Sequence, residues 1–244
     1  MVTDYSEMNR LSPSSYEVGQ LFNALVFGEV LPPDPIMWEG MRIADLSANN
    51  LEVTGGVAQY IDTSITMATD GMRFSNPLIV YCNDIAYENP EGRLAQRAEG
   101  ERQRLNDALQ NIQIASLIRK DVADLNLSDF SGVPVDLCFD RLGALWYAVD
   151  EGQQAVEAIL RAIAAILCDK GVLVVDDNNV KNKGDPAIPT GDKLRMLFHG
   201  KLDEVLEVCG LDSSSVADFI LPGQVKDESV RILILRKNIN YYKV

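Results

Sequence analysis

The chain has 244 residues, with 22 Lys and Arg against 36 Asp and Glu, for a formal charge of −14. This length suits one large domain or a domain with an appendage, and 47% hydrophobic with 24% charged residues is globular rather than disordered composition. The acidic balance repels polyphosphate backbones, and the densest basic stretch, Arg93 to Arg104, is interleaved with Glu99 and Glu101, so no direct nucleic-acid contact is expected.

The N-terminus, MVTDYSEMNR, carries no apolar targeting core. The most apolar segment, Ala155 to Cys168, is interrupted by Glu157 and Arg161 and falls short of a membrane span. A cytoplasmic protein without a membrane partner is the default expectation. Cys82, Cys138, Cys168 and Cys209 form no CxxC pair and sit in apolar surroundings, which reads as reduced, buried thiols.

From the N-terminus onward, Val18, Leu21, Phe22, Leu25 and Val26 fall on one face of a predicted helix. The run LPPDP at 31–35 stops it, because Pro lacks an amide donor and restricts the residue before it. Residues 1–40 thus read as a helical segment and stiff linker, and residues 41–244 as an α/β domain. MRIADL (41–46) is a candidate buried strand, followed by a helix from Val57 to Ala68. PLIVYCNDI (77–85) is a strand by its β-branched and aromatic content, and a charged helix covers Glu91 to Leu109. IQIASLIRKDV (112–122) reads as a strand ending near Asp121, and VDLCFD (135–140) as another. Ala155, Val156, Ile159, Leu160, Ile163, Ile166 and Leu167 form one apolar stripe, so Glu151 to Leu167 is a helix. GVLVVDD (171–177), a helix through Leu194 to Cys209 and a last strand, SVRILILRK (229–237), complete the series.

Such alternation implies a mostly parallel sheet covered on both faces, with ligands outside the carboxyl ends of the strands where strand order reverses. The polar residues at those ends are Asp45, Asp84, Asp121, Asp140 and the group Asp176, Asp177 and Asn178. Helix capping and turn formation compete with ligand contact as the role of each.

In their order, RIADLSANN, IVYCNDIAYE, IRKDVADL, VDLCFDRLGALWYAVDEGQQAVEAILRAIAAIL and LCDKGVLVVDD resemble the successive segments of class I S-adenosylmethionine-dependent methyltransferases, over roughly residues 41–237. The resemblance implies a Rossmann-like fold with a mostly parallel seven-stranded sheet and helices on both faces. It also implies S-adenosyl-L-methionine as cofactor and in-line transfer of a methyl group to oxygen, nitrogen or carbon of a small-molecule acceptor. A homodimer is compatible with it.

By the same resemblance, Asp84 reads the ribose hydroxyls and Ile85 lies against the adenine. Asp121 accepts from the adenine amine, and the Val122 amide donates to a ring nitrogen. Asp45 orders the first loop and faces the methionine amino group. Ser47, Ala48 and Asn49 form that loop, and Asp140 and Arg141 close the set from the fourth strand. The loop departs from the family pattern D-x-G-x-G-x-G: it reads Asp45-Leu46-Ser47-Ala48-Asn49-Asn50-Leu51, with no glycine before Gly55. Side chains stand where backbone approach is needed, which implies weaker cofactor binding than in glycine-bearing relatives.

Methyl transfer from a sulfonium rests mainly on alignment, with an optional base. Candidates for such a group are Tyr147, after the fourth strand, and His199, the lone histidine, whose competing role is structural. Tyr5 and Tyr16 lie in the N-terminal segment, which commonly closes over the cofactor in this family. Asp140, Asp177 and Asn178 resemble the oxygen ligands of metal-dependent catechol-type methyltransferases, but the longer stretch between them matches the metal-free pattern, so no metal is expected. The polar loop Asn179–Gly191 is a candidate specificity loop. The alternative function is a non-catalytic binding or regulatory protein of the same fold. A dehydrogenase trails both, lacking its own glycine fingerprint.

Overall fold

A computed structural model describes residues 25–26, 30–49, 51–141, 143–177, 190–222 and 229–238. Strand β1 (Arg42–Asp45) leads into helix α1 (Glu52–Ala68), β2 (Leu78–Cys82), α2 (Arg93–Ala108) and β3 (Ile112–Ile114). The chain then crosses to β4 (Val135–Arg141), helices α3 (Ala144–Glu151) and α4 (Gln153–Ile166), and β5 (Leu167–Asp177). Helices α5 (Thr190–Leu197) and α6 (Leu202–Val208) precede β6 (Leu211–Pro222) and β7 (Ser229–Lys237).

The seven strands form one sheet in the order β3-β2-β1-β4-β5-β7-β6. Strands β1 to β5 pair in parallel, and β7 runs antiparallel to both β5 and β6. The expected mostly parallel, seven-stranded architecture is therefore present. The order reverses between β1 and β4, so the crevice predicted for a ligand opens at that pair.

Alternation along each strand distributes side chains to two cores. Ile43, Val80, Leu137, Phe139 and Val174 face α1 and α2, together with Ala58, Ile61, Ile65 and Leu105. Ala44, Leu46, Cys138, Leu173 and Val175 face the other way, onto Val156, Ile159, Leu160 and Ile163 of α4 and Leu194 of α5. All four cysteines are free thiols; Cys82, Cys138 and Cys209 are buried and Cys168 is half-buried. No described helix is long and apolar enough to cross a membrane.

The elements depart from expectation where local pattern met a tertiary demand. Helix α1 begins at Glu52 rather than Val57, and Gly55 and Gly56 lie inside it. A Cβ at Gly55 would lie 3.2 Å from Leu105 Cδ1, so this glycine serves close packing of α1 on α2 and not a break. Strand β3 ends at Ile114 instead of near Asp121; beyond it only an isolated Ile118–Asn83 bridge continues the pairing. The helix expected over 151–167 is present as α4, Gln153–Ile166, and an additional short helix, α3, precedes it across Gly152, whose φ of 107° suits glycine. The helix expected over 194–209 is split, at His199 (φ 49°) and Gly200 (φ 81°). Strand β5 starts at Leu167, four residues before Gly171, through a register shift opposite Val135 and Leu137. Strand β6 has no counterpart among the expected elements, because its Ser-rich start carries no strand pattern.

Of the N-terminal helix, Leu25 and Val26 are helical, while Val18, Leu21 and Phe22 lie outside the described residues. Leu25, Leu31 and Trp38 are buried in the α1/α2 core. The Pro-rich run forms a turn of its own. Asp34 accepts the Ile36 amide at 3.0 Å and caps a 3₁₀ turn, Pro35–Trp38, while Trp38 Nε1 donates to the Pro32 carbonyl at 2.9 Å.

Edge strand β3 lacks a strand neighbour on one side, and a side chain takes that place. Asn106 on α2 accepts the Ile114 amide at 2.7 Å and donates to the Ile114 carbonyl at 3.0 Å. Asn106→Ala leaves the amide of fully buried Ile114 without this acceptor and is expected to cost about 1–3 kcal/mol in chemical denaturation. Amide exchange at Ile114 should accelerate with it. An unchanged midpoint and unchanged protection would contradict the clamp.

Candidate functional site

The carboxyl ends of β1 and β4 meet at the crevice, and their terminal acids face opposite sides of the sheet. Asp45 follows Ile43 onto the α1 face, where its Oδ2 accepts the Thr54 hydroxyl. Asp140 follows Cys138 onto the α4 face. There Oδ1 accepts the Ala144 amide and Oδ2 the Leu145 amide, both at 3.0 Å, capping the start of α3. Ser47 joins the two acids across the sheet edge. Its amide donates to Asp45 Oδ1 at 3.1 Å, and its hydroxyl donates to Asp140 Oδ1 at 2.9 Å.

Gly143 makes this contact sterically tight. A Cβ there would lie 1.6 Å from Ser47 Oγ and 2.2 Å from Asp140 Oδ1. No side chain fits at position 143 beside Ser47. The switch-point crevice is thus spanned by protein where β1 and β4 come together.

Both acids are nearly inaccessible, Asp45 at 5% and Asp140 at 1% exposure. Burial pushes the Asp45 carboxyl up to about 6; the Thr54 hydroxyl and Ser47 amide pull it back, and the charges of Asp140 and Asp84 raise it further. A cavity of about 30 Å³ lies beside Asp45, lined mainly by apolar groups including Leu25, Ile43, Val57, Ala58 and Phe139. That is why desolvation dominates.

One strand further on, Asp84 sits just past β2. Its Oδ2 accepts the Asn49 amide at 3.0 Å and its Oδ1 the Ala86 amide at 2.9 Å, capping the 3₁₀ turn Ile85–Glu88. Burial raises its carboxyl, against the lowering by those two amides. Each oxygen accepts one amide and has room for a second donor. Asn49 takes φ 46°, the left-handed conformation that glycine adopts freely, so the loop keeps a glycine-like turn while carrying a side chain. Its carbonyl accepts from the Tyr87 hydroxyl, and its buried Oδ1 has no partner among the described residues.

The remaining expected positions fall as follows. Ala48 is buried, its amide donating to the Asn83 carbonyl at 3.0 Å. Ile85 is 45% exposed at the same edge, one of several large apolar side chains left exposed among the described residues. Asp121 is exposed and caps the 3₁₀ turn Val122–Asp124 through the Ala123 amide, while the Val122 side chain is buried. Tyr147 is half-buried in the first turn of α3. His199 is exposed in the turn between α5 and α6. Arg141 and Asp177 are the last residues of β4 and β5, and their side chains lie outside the described residues, as do Tyr5, Tyr16, Asn178 and most of the 179–191 loop. No group of three or more His, Cys, Asp or Glu able to hold a metal occurs among the described residues.

Four residues at the site carry no signal in the sequence that singles them out. Asn83, 2% exposed, links three strand ends: its amide donates to the Asp45 carbonyl (2.8 Å), its Nδ2 to the Leu46 carbonyl (3.4 Å), and its Oδ1 accepts the Lys120 amide (3.3 Å). Thr54, Tyr87 and Gly143 are the others. Gly143 is visible only as one letter of a family-like segment, since its partner Ser47 lies far away in the chain.

No family model matches the sequence, and no curated protein matches it. Solved structures do. Magnesium protoporphyrin IX methyltransferase from Synechocystis PCC 6803 with bound SAM is similar at 14% identity, over 97% of this chain and 85% of that one, with a TM-score of 0.52. A point-mutant form of the 16S rRNA (adenine(1408)-N(1))-methyltransferase from Catenulisporales acidiphilia is similar at 14% identity, over 84% and 91%, with a TM-score of 0.52. An S-adenosylmethionine-dependent methyltransferase from Clostridium acetobutylicum ATCC 824 is similar at 11% identity, over 96% of both chains, again at 0.52. At these identities the likeness establishes the fold.

Two outcomes follow from this geometry. Because the folded Asp45 carboxyl titrates near 6 rather than 3.8, the folded state holds a proton between those values that the unfolded state has released. Its contribution to stability is complete below about pH 4 and is lost as pH rises through about 6. Asp45→Asn keeps an acceptor for Ser47 and removes the charge, so its stability should gain on the native protein by about 1–3 kcal/mol between pH 4 and pH 7.5; parallel pH profiles in denaturation would contradict this. Gly143→Ala should cost about 1–3 kcal/mol by overpacking. The penalty should shrink in a Ser47→Gly background, a non-additivity that a double-mutant cycle measures directly.

Proposed function

We propose that this chain, which has the Rossmann-like fold of the class I S-adenosylmethionine-dependent methyltransferases, binds an S-adenosyl cofactor at the carboxyl ends of β1, β2 and β3 and methylates a small-molecule acceptor. The observation that carries the reading is the group of Asp84, Ile85 and Asp121 on adjacent strand ends. A carboxylate held by two amides offers acceptors to a ribose diol. Exposed Ile85 offers an apolar face to a base, and Asp121 stands on the next strand as an acceptor for an exocyclic amine. The glycine-like turn at Asn49 and its unpartnered Oδ1 supply shape and one further acceptor.

When bound, the cofactor would supply an electrophilic methyl group whose transfer depends chiefly on alignment with the acceptor. Tyr147, in the first turn of α3, is the described side chain we assign to the acceptor side. The charge of −14 favours a small acceptor over RNA, and a cytoplasmic setting fits this reading. We propose no divalent ion, because three donors already converge on the Asp140 carboxylate.

A second reading, an adenosyl-binding protein without transferase activity, is favoured by one observation: the Ser47 bridge to Asp140 lies across the crevice in which the reacting end of the cofactor would have to lie. Isothermal titration of the full chain with S-adenosylmethionine and S-adenosylhomocysteine tests the binding common to both readings. Asp84→Ala is expected to weaken binding by about 1.5–3 kcal/mol, the scale of lost charge-assisted bonds. Ile85→Ala, which leaves the loop contacts intact, should weaken it less. No binding by the native chain would overturn the proposal, and affinity within twofold after Asp84→Ala would remove Asp84 from the site.

A further inference from the structure

Resting on the reading of a nucleoside site at β2 and β3, we infer that Ser47 sets how much the amino-acid tail of an adenosyl compound adds to its affinity, and that it cancels most of what the tail would contribute. The strand order β3-β2-β1-β4 sets the end residues in a row along one edge. Asp121 and Val122 follow β3, Asp84 and Ile85 follow β2, loop 46–49 follows β1, and Asp140 with Gly143 marks the end of β4. A ligand whose base lies at the β3 and β2 ends and whose ribose meets Asp84 projects its 5′ substituent toward β1 and β4. There it meets the Ser47 hydroxyl bonded to Asp140 at 2.9 Å, with Gly143 packed so closely that a single added carbon would lie 1.6 Å from that hydroxyl oxygen. A methylthio group ends before the bridge. A homocysteine tail has to displace it.

Displacement is resisted from both sides of the sheet. The Ser47 amide is held by Asp45 on the α1 face, and Ala48 is tied to the Asn83 carbonyl, so the loop does not swing away on one bond. Asp140 is committed to the first two amides of α3, so it cannot follow Ser47 outward without uncapping a helix. Ser47 and Gly143 together therefore act as a stop at the β1–β4 crevice. Affinity for an S-adenosyl compound then rests on its nucleoside and sulfur end, and the tail adds little.

The probes are S-adenosylhomocysteine and 5′-methylthioadenosine, which share the nucleoside and thioether and differ by the tail. In titration calorimetry of the full chain, the native protein should bind S-adenosylhomocysteine no more than about threefold more tightly than 5′-methylthioadenosine. Ser47→Gly, and separately Ser47→Ala, which keeps the Cβ and the amide bond to Asp45, should tighten S-adenosylhomocysteine binding by roughly tenfold or more (about 1.4 kcal/mol per decade). Binding of 5′-methylthioadenosine should stay within about threefold. A native preference for S-adenosylhomocysteine beyond threefold, or a ratio of affinities unmoved in both folded variants, overturns the inference while leaving the nucleoside site standing. Failure of both probes to bind native and variant proteins overturns the nucleoside reading itself, and this inference with it.

Discussion

Ser47, bonded to two acids on opposite faces of the sheet, holds the site together. Through its amide it belongs to the end of β1 and, by way of Asp45 and Thr54, to helix α1. Through its hydroxyl it belongs to the end of β4 and, by way of Asp140, to the start of α3. One small side chain thereby couples two helices across the layer that separates them. Gly143 is required by that coupling and not by any turn of its own, because the space a Cβ would take is already Ser47.

The cost of the arrangement is electrostatic. Three carboxylates end neighbouring strands, and burial of Asp45 and Asp84 raises both in pKa. Buried charge is tolerated only where donors converge on it, and here they do. Asp45 has a hydroxyl and an amide, Asp84 has two amides, and Asp140 has a hydroxyl and two amides. Most of these donors are backbone amides of the loops and helix starts that follow β1, β2 and β4, so the acids and the loops order one another. Asn83 adds backbone and side-chain bonds among the same ends. The site is rigid because its charges need the loops and its loops need the charges.

Fold does not by itself fix function. A sheet with the same architecture as methyltransferases at 11–14% identity carries a first loop in which Ser47, Asn49 and Leu51 stand where the D-x-G-x-G-x-G pattern has glycine. Asn49 reproduces the left-handed backbone at φ 46°, so the turn survives the loss of glycine. Ser47 does something glycine cannot, reaching Asp140. Position 49 thus keeps a glycine-like backbone, and position 47 gains a side-chain contact.

Much of what is periodic in this protein could be read from its residues alone. Period-two and period-3.6 patterns marked the parallel strands, the amphipathic helix through Val156, Ile159, Leu160 and Ile163, and the two-faced sheet. The acidic strand ends were legible because strand termini are marked by their flanking loops. Contacts between residues distant in the chain were settled by folding. Ser47 and Asp140 are 93 positions apart, and neither a serine nor an aspartate announces a partner at that range. The same reason explains Gly55, which looks like a helix breaker until Leu105 packs against it. It also explains β6, a polar edge strand that exists because β7 offers it a ladder of backbone hydrogen bonds. Side-chain periodicity records which face is buried; it does not record which loops meet over the end of a sheet, and that meeting is where this protein's site is made.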